Sequence, residues 1–280
     1  MEQRTLIRSS WRRFTSNQLN LIGGALILFL VLVGTLAPWI SPHNPREQSW
    51  GEAYQAPSPK YPLGVDQLGR GILSRLIYGA RTSLIIGLFA PLIGLVIGVT
   101  LGGLAGYKGG LVSQLVMRLV DIFLSIPSLI LMIVAASVLE QRNIFTIIII
   151  IGILQWTRVA RITRSKFMDI KENDYIESAK AIGGSELRII GKHVLPNSFG
   201  PIMVYTTLNV GAAIISESSL SFLGLGDPRT ISWGTMISEG LDEIIMTPWL
   251  AVFPGIAIFI TVWSANVLGD GLRDVMDVEV

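Results

Sequence analysis

The tetrapeptide Gly224-Leu225-Gly226-Asp227 has the G-x-G-D form in which an intramembrane aspartyl protease carries one of its carboxylates. That chemistry needs a second carboxyl group close enough to share one proton. Asp121 is the candidate beside another apolar segment, and the charge pattern assigns it and Asp227 to opposite membrane edges. Gly191-Lys192 is the nearest approach to a phosphate-cradling P-loop. Glu186 stands where its first glycine should be, and His193 where Ser or Thr should meet the metal. Cysteine is absent, which excludes disulfides, thiol catalysis and cysteine metal sites. The two histidines, His43 and His193, fall on opposite membrane sides, which excludes a shared metal. Neither H-E-x-x-H nor G-x-S-x-G occurs. The chain thus offers no centre for making or breaking bonds.

The elements that carry these residues are apolar blocks. Half of the 280 residues are apolar, 15 % are charged, and the mean hydropathy is +0.57. Soluble domains average about 25 % charged. The blocks predict an all-α, polytopic integral membrane protein of six spans, at 19–40, 82–107, 122–139, 143–157, 194–216 and 244–269. The first is too long for a signal-peptide core and lacks a cleavage site, so it is read as retained. In the second, Gly94-x-x-x-Gly98-x-x-x-Gly102 is a double small-xxx-small pattern that permits close helix contact. Arg118 and Asp121, three apart, read as a paired anchor ahead of the third span, which Pro127 should kink. The fourth uncharged run is too short to span alone and must continue toward Arg158 and Arg161.

A net charge of +2 gives no argument for nucleic acid. Residues 1–18 interleave Arg4, Arg8, Arg12 and Arg13 with Leu6, Ile7, Trp11 and Phe14. They read either as a basic amphipathic segment on the inner membrane surface or as a positive flank. With the N-terminus inside, most Lys and Arg are cytoplasmic and the short outer loops hold only Arg142 and Arg229. Six spans then put both termini in the cytoplasm. An ion-coupled secondary transporter would show ionisable residues within its spans, and none of the uncharged runs carries one.

The stretch 173–197, NDYIESAKAIGGSELRIIGKHVLPN, is the longest polar run with helix signals. Asp174 and Glu177 form a capping-box pattern, so a helix should begin near Tyr175. Gly183-Gly184 should end it after about 12 Å. Tyr175, Ala179 and Ile182 share one face, flanked by the small Ser178 and Ala181. A second helix should follow from a Ser185 cap, to be stopped or kinked by Pro196.

Glu177-Ser178-Ala179, then Gly183, then His193-Val194-Leu195-Pro196-Asn197 resembles the "EAA" signature of ABC importer permeases. Ser178 replaces its first Ala and His193 its Ile. The H-x-L-P-N ending is similar to the dipeptide, oligopeptide and nickel branch. Segments ending in LGVDQLGRGILSRLIYGARTSL, in Phe222-Leu223-Gly224-Leu225-Gly226 and at 266–274 resemble the same branch. Gly71 stands where that branch usually has Asp.

The resemblance implies a type I ABC importer transmembrane domain. Its division would be 1–81 (basic segment, first span and outer loop), 82–272 (permease domain with a coupling loop at 158–196) and 273–280 (tail). It implies coupling to an ATPase through Tyr175, Glu177, Ser178, Ala179, Ala181, Ile182 and Gly183, with His193, Leu195, Pro196 and Asn197 as structural motif residues. It implies a bacterial or archaeal inner-membrane location and four kinds of neighbour. These are a homologous second permease, two ATP-binding subunits that hold the ATP and Mg, an external solute-binding protein and the lipid bilayer. The chain itself would hold no cofactor and catalyse nothing. Peptide is the first solute it implies; nickel chelates, opines, glutathione and sugars stay open. The path should run between this chain and its partner, with a mainly uncharged lining.

Overall fold

The computed structural model describes residues 14–48, 50–139 and 142–276. The basic segment lies largely outside these residues, and so does the end of the tail. The described chain is helical apart from turns and one isolated β-bridge, Val65 to Gly71. Helix α1 is Gln18–Thr35 and a short α2, Ala37–Ile40, follows it with Pro38 in its first turn. A turn-rich loop then leads to α3, Ile72–Lys108. Next come α4, Gly110–Ser125, α5, Ser128–Val138, and α6, Ile144–Lys171. The short α7, Asp174–Ala181, and α8, Glu186–Ile189, lead through a π-helical turn, Ile190–Val194, into α9, Leu195–Phe222. Helices α10, Trp233–Gly240, and α11, Trp249–Met276, complete the chain.

Among the described residues five helical segments are long and apolar enough to cross a membrane, and the bent pair α4–α5 makes a sixth if it is counted as one span. The expected kink at Pro127 is a break of 89°. Proline drives the preceding residue out of the helical region. Ile126 accordingly sits at φ −105° and ψ 132°, and α4 ends at Ser125, two residues before the ring.

Helices α3 and α6 form the spine. The glycine stripe is where they meet. A Cβ at Gly98 would stand 2.8 Å from the Trp156 carbonyl oxygen, and one at Gly102 would stand 2.8 Å from Cα of Ala160. Gly152 of α6 returns the contact, since a Cβ there would lie 2.6 Å from Cβ of Ile93. In lipid, where apolar faces gain little by leaving solvent, this close backbone packing is a main source of helix affinity.

Several spans end elsewhere than their uncharged runs do. The second begins ten residues early, at Ile72, because Arg75 is neutralised by ion pairs inside the fold. The fifth continues past Ser216 to Phe222. Its Glu217 is buried and accepts a hydrogen bond of 2.7 Å from the Ser221 hydroxyl, one turn on. The sixth begins only after Pro248 and runs on to Met276. Asp121 pairs with Arg161 of α6 at 2.7 Å, rather than with Arg118, because α4 lies along α6 and the two side chains meet across that contact.

Candidate functional site

Helix α7 sits where three long helices end. Ile176 is its single buried residue and is fully enclosed. It enters an apolar seat of Tyr107 at the end of α3, Phe167 and Ile170 at the end of α6, and Ile189 and Val194 before α9. Ala179 and Leu195 pack on the same seat. Lys171 donates to the Tyr107 carbonyl at 2.6 Å, closing the last turn of α3 against the end of α6. A movement of α7 is thereby tied to α3, α6 and α9 together.

The face that Tyr175 and Ile182 share is turned away from this seat. Tyr175 is 44 % exposed and Ile182 is 87 % exposed. Glu177, Ser178, Ala181 and Gly183 are exposed as well. The capping box is also replaced. Asn173 is the N-cap, and its backbone carbonyl accepts from the amides of Ile176 at 2.9 Å and Glu177 at 3.3 Å, without a side-chain cap. Glu177 thus lies one residue beyond the position from which it could reach back.

The stop is as the two glycines predict. Gly183 has φ +85°, a left-handed conformation. Its amide donates to the Lys180 carbonyl at 2.9 Å, and the Gly184 amide donates to the Ala179 carbonyl at 3.0 Å. Those two bonds make a Schellman motif. Gly184 is required for a second reason, since a Cβ there would stand 2.7 Å from the Ala179 oxygen.

Pro196 does not stop the chain. Residues from Glu186 to Phe222 run as one helical segment. The Leu195 amide bonds back five residues to the Ile190 carbonyl, and this π turn makes room for a residue that lacks an N–H. Asn197 donates its side-chain amide to the His193 carbonyl at 2.7 Å. Its distance to the Tyr175 hydroxyl is 3.4 Å, and the Tyr175 and His193 rings lie 6.4 Å apart. The residues at 193–197 thus brace the junction between α7 and α9, and the two halves of the sequence motif are neighbours in space.

The two carboxylates of the protease alternative are far apart. Asp227 accepts from the Ile144 amide at 3.1 Å at the start of α6, while Asp121 pairs with Arg161. Those positions are about 25 Å apart along α6 at 1.5 Å per residue. They cannot share a proton.

At the other end of the bundle, Asp66 and Arg70 belong to a buried ion cluster. Asp66 accepts from Arg70 Nε at 2.6 Å and from Arg75 at 2.5 Å, and both arginines also reach Glu239 of α10. Gly71 has a packing reason: a Cβ there would lie 2.9 Å from the ring of Trp50.

Helix α6 continues past Arg158 as the short uncharged run requires. Arg158 lies about 21 Å along α6 from its start and faces a cavity of ≈ 430 Å³ between α4, α5, α6 and α9. A bare arginine at mid-bilayer costs about 2.5–3.5 kcal/mol. The wall of this cavity therefore carries a charge.

These features define a polytopic α-helical membrane protein with one short, firmly seated helix exposed at an end of its bundle. Residues 98–280 match the family described as "Binding-protein-dependent transport system inner membrane component", and residues 5–57 match the "N-terminal TM domain of oligopeptide transport permease C". The chain belongs to that inner-membrane component family and is a permease subunit of an ABC importer. It is 41 % identical to the dipeptide transport system permease protein DppC of Bacillus subtilis, over 96 % of this chain and 85 % of the relative. It is 39 % identical to the oligopeptide permease OppC of the same organism, over 98 % and 90 %. It is 36 % identical to the glutathione permease GsiD of Pectobacterium atrosepticum, over 98 % and 91 %. The fold is similar to that of the MetNI methionine ABC transporter in an inward-facing form, with a TM-score of 0.60, 19 % identity, and coverage of 72 % of this chain and 96 % of that one.

Proposed function

We propose that this chain forms half of the translocation path of an importer for peptides or a related small solute, and that α7 couples it to separate ATPase subunits. The observation that carries the coupling role is the mounting of α7. It is fixed to three span ends through Ile176, stopped by two glycines, and presents Tyr175, Ser178, Ala181 and Ile182 outward. An exposed Ile182 beside small residues fits a groove on a partner, which small side chains allow to approach closely. Closure of the ATPases would move α7 as a lever and switch the spans between inward and outward states.

The sequence lacks a P-loop, so ATP and Mg belong to the partner chains and this subunit is non-catalytic. A homologous second permease and an external solute-binding protein complete the complex. The relatives' names support the solute class, since they are dipeptide, oligopeptide and glutathione permeases. The test is reconstitution. The chain purified alone should hydrolyse no ATP above background, and the vesicle-reconstituted complex should import peptide when ATP and the binding protein are supplied. Robust hydrolysis by the isolated chain would refute the assignment.

The orientation belongs to the same reading, with both termini cytoplasmic and α7 facing the cytoplasm. It follows from the distribution of Lys and Arg. Reporter fusions at Gly110 and Asp169 should report cytoplasm, and those at Gln55 and Arg229 the outer side. The reverse pattern would place α7 out of reach of any ATPase.

A further inference from the structure

The cavity between the broken pair α4–α5 and helices α6 and α9 holds polar groups with nothing to bind. Its wall includes Phe123, Pro127, Gln155, Arg158, Tyr205 and Asn209. Among the described residues Arg158 has no ion pair, and no side-chain hydrogen bond joins Gln155, Arg158, Tyr205 or Asn209 to the rest of the chain. The Gln155 carbonyl oxygen is buried without a partner. The contrast with its neighbours is sharp. Arg161, one turn on, is paired with Asp121, and Arg164 donates to the Ser113 hydroxyl at 2.6 Å.

An ionisable residue well inside a span marks a solute or ion path when its charge is left unspent. The backbone agrees with this. Non-helical chain at membrane depth survives only where it is enclosed by protein or lines a polar cavity, and the break at Pro127 opens onto this one. The cavity volume, ≈ 430 Å³, falls in the range of small-molecule sites.

The donor set narrows the occupant. A guanidinium offers a planar fork of N–H groups that matches a carboxylate. Gln155 and Asn209 each offer one acceptor and two donors, the complement of a peptide's amide groups. Tyr205 adds a hydroxyl on an aromatic face. We infer that Arg158 binds the terminal carboxylate of the transported solute while Gln155 and Asn209 take its amide groups. The inference rests on the permease reading above and deepens it: the solute is a short peptide with a free carboxylate, and the path itself recognises it.

The experiment uses the complete complex in lipid vesicles, with this chain, its partner subunits and the binding protein. The probe is tri-alanine, and the readouts are uptake, ATPase stimulation and subunit assembly. Wild type should import the probe. Arg158→Gln should lower uptake at least tenfold with subunit assembly retained, whereas Arg158→Lys should retain a third or more of the rate. Asn209→Ala should lower uptake several-fold by itself, which keeps the test open if the arginine variant misfolds. Wild-type uptake by Arg158→Gln would overturn the inference and leave the permease reading intact. Loss of the second permease from the Arg158→Gln complex would also overturn it, by making an acidic group on that partner the occupant. Wild-type vesicles that import no tri-alanine would instead refute the peptide reading on which it stands.

Discussion

Gly183→Pro should abolish solute-driven ATP hydrolysis while leaving the chain inserted in the membrane. Gly183 holds φ at +85°, and its amide donates to the Lys180 carbonyl at 2.9 Å. Proline fixes φ near −65° and has no amide proton, so both conditions fail together. The strain and the lost bond amount to roughly 3 kcal/mol or more on the reference of a proline placed inside a helix. The second Schellman bond, from Gly184 to Ala179, depends on the same left-handed residue and is lost with it. Helix α7 would then unwind from its C-terminal end, carrying Ile182 away from where a partner would meet it. Nothing crowds Gly183, because a Cβ there meets no atom within 4 Å. Gly183→Ala is therefore the control: it bears only the left-handed penalty, about 1–2 kcal/mol, and should retain partial coupling. The measurement is uptake together with ATPase stimulation in reconstituted vesicles. Expected values are a tenfold or greater loss of both for Gly183→Pro, with normal membrane insertion. Wild-type coupling in Gly183→Pro would remove α7 from the coupling path.

The reach of the sequence differs from residue to residue. The glycine stripe of α3 was legible because a period of four residues puts Gly94, Gly98 and Gly102 on one line, and the contact with α6 uses that line. The stop of α7 was legible because glycine is the residue that reaches a left-handed turn without strain. Its seated face was not. An eight-residue helix holding Tyr175 and Ile176 has more than one plausible apolar face, and tertiary context chose Ile176. The π turn before Pro196 could not be read either, since it answers a missing amide through a backbone rearrangement without a residue preference of its own. Two span ends were misplaced because charged residues were taken as boundaries. Arg75 and Glu217 both lie within helices, and each has a different local answer, an ion pair and a serine hydrogen bond. The pairings that admit them join residues far apart in sequence or one turn apart on a helix, and composition does not count them.

Asp66→Ala should be the most destabilising substitution at the other end of the bundle. Asp66 and Arg75 are almost wholly buried, with side chains 2 % and 3 % exposed. Asp66 also orders its own loop, since its second oxygen accepts from the amides of Leu68 and Arg70, each at 2.9 Å. Removing the carboxylate leaves two arginines sharing one oxygen of Glu239, which is a third exposed. Breaking a buried pair from one side commonly costs about 3–5 kcal/mol, because the other charge stays buried without compensation. The loop carrying Trp50, packed against Gly71 over the start of α3, should loosen at the same time. Asp66→Asn separates the two contributions. It keeps an acceptor for the loop amides and loses only the charge, so it should fall between wild type and Asp66→Ala. The double variant Asp66→Ala/Arg75→Met removes the stranded guanidinium and should recover part of the loss. Thermal unfolding of the purified chain in lipid nanodiscs measures all three. Equal melting temperatures for Asp66→Ala and wild type would mean that the cluster is hydrated and screened, and that α3 and α10 are held together by the apolar cluster around Trp233 and the hydrogen bond it donates to the Leu76 carbonyl.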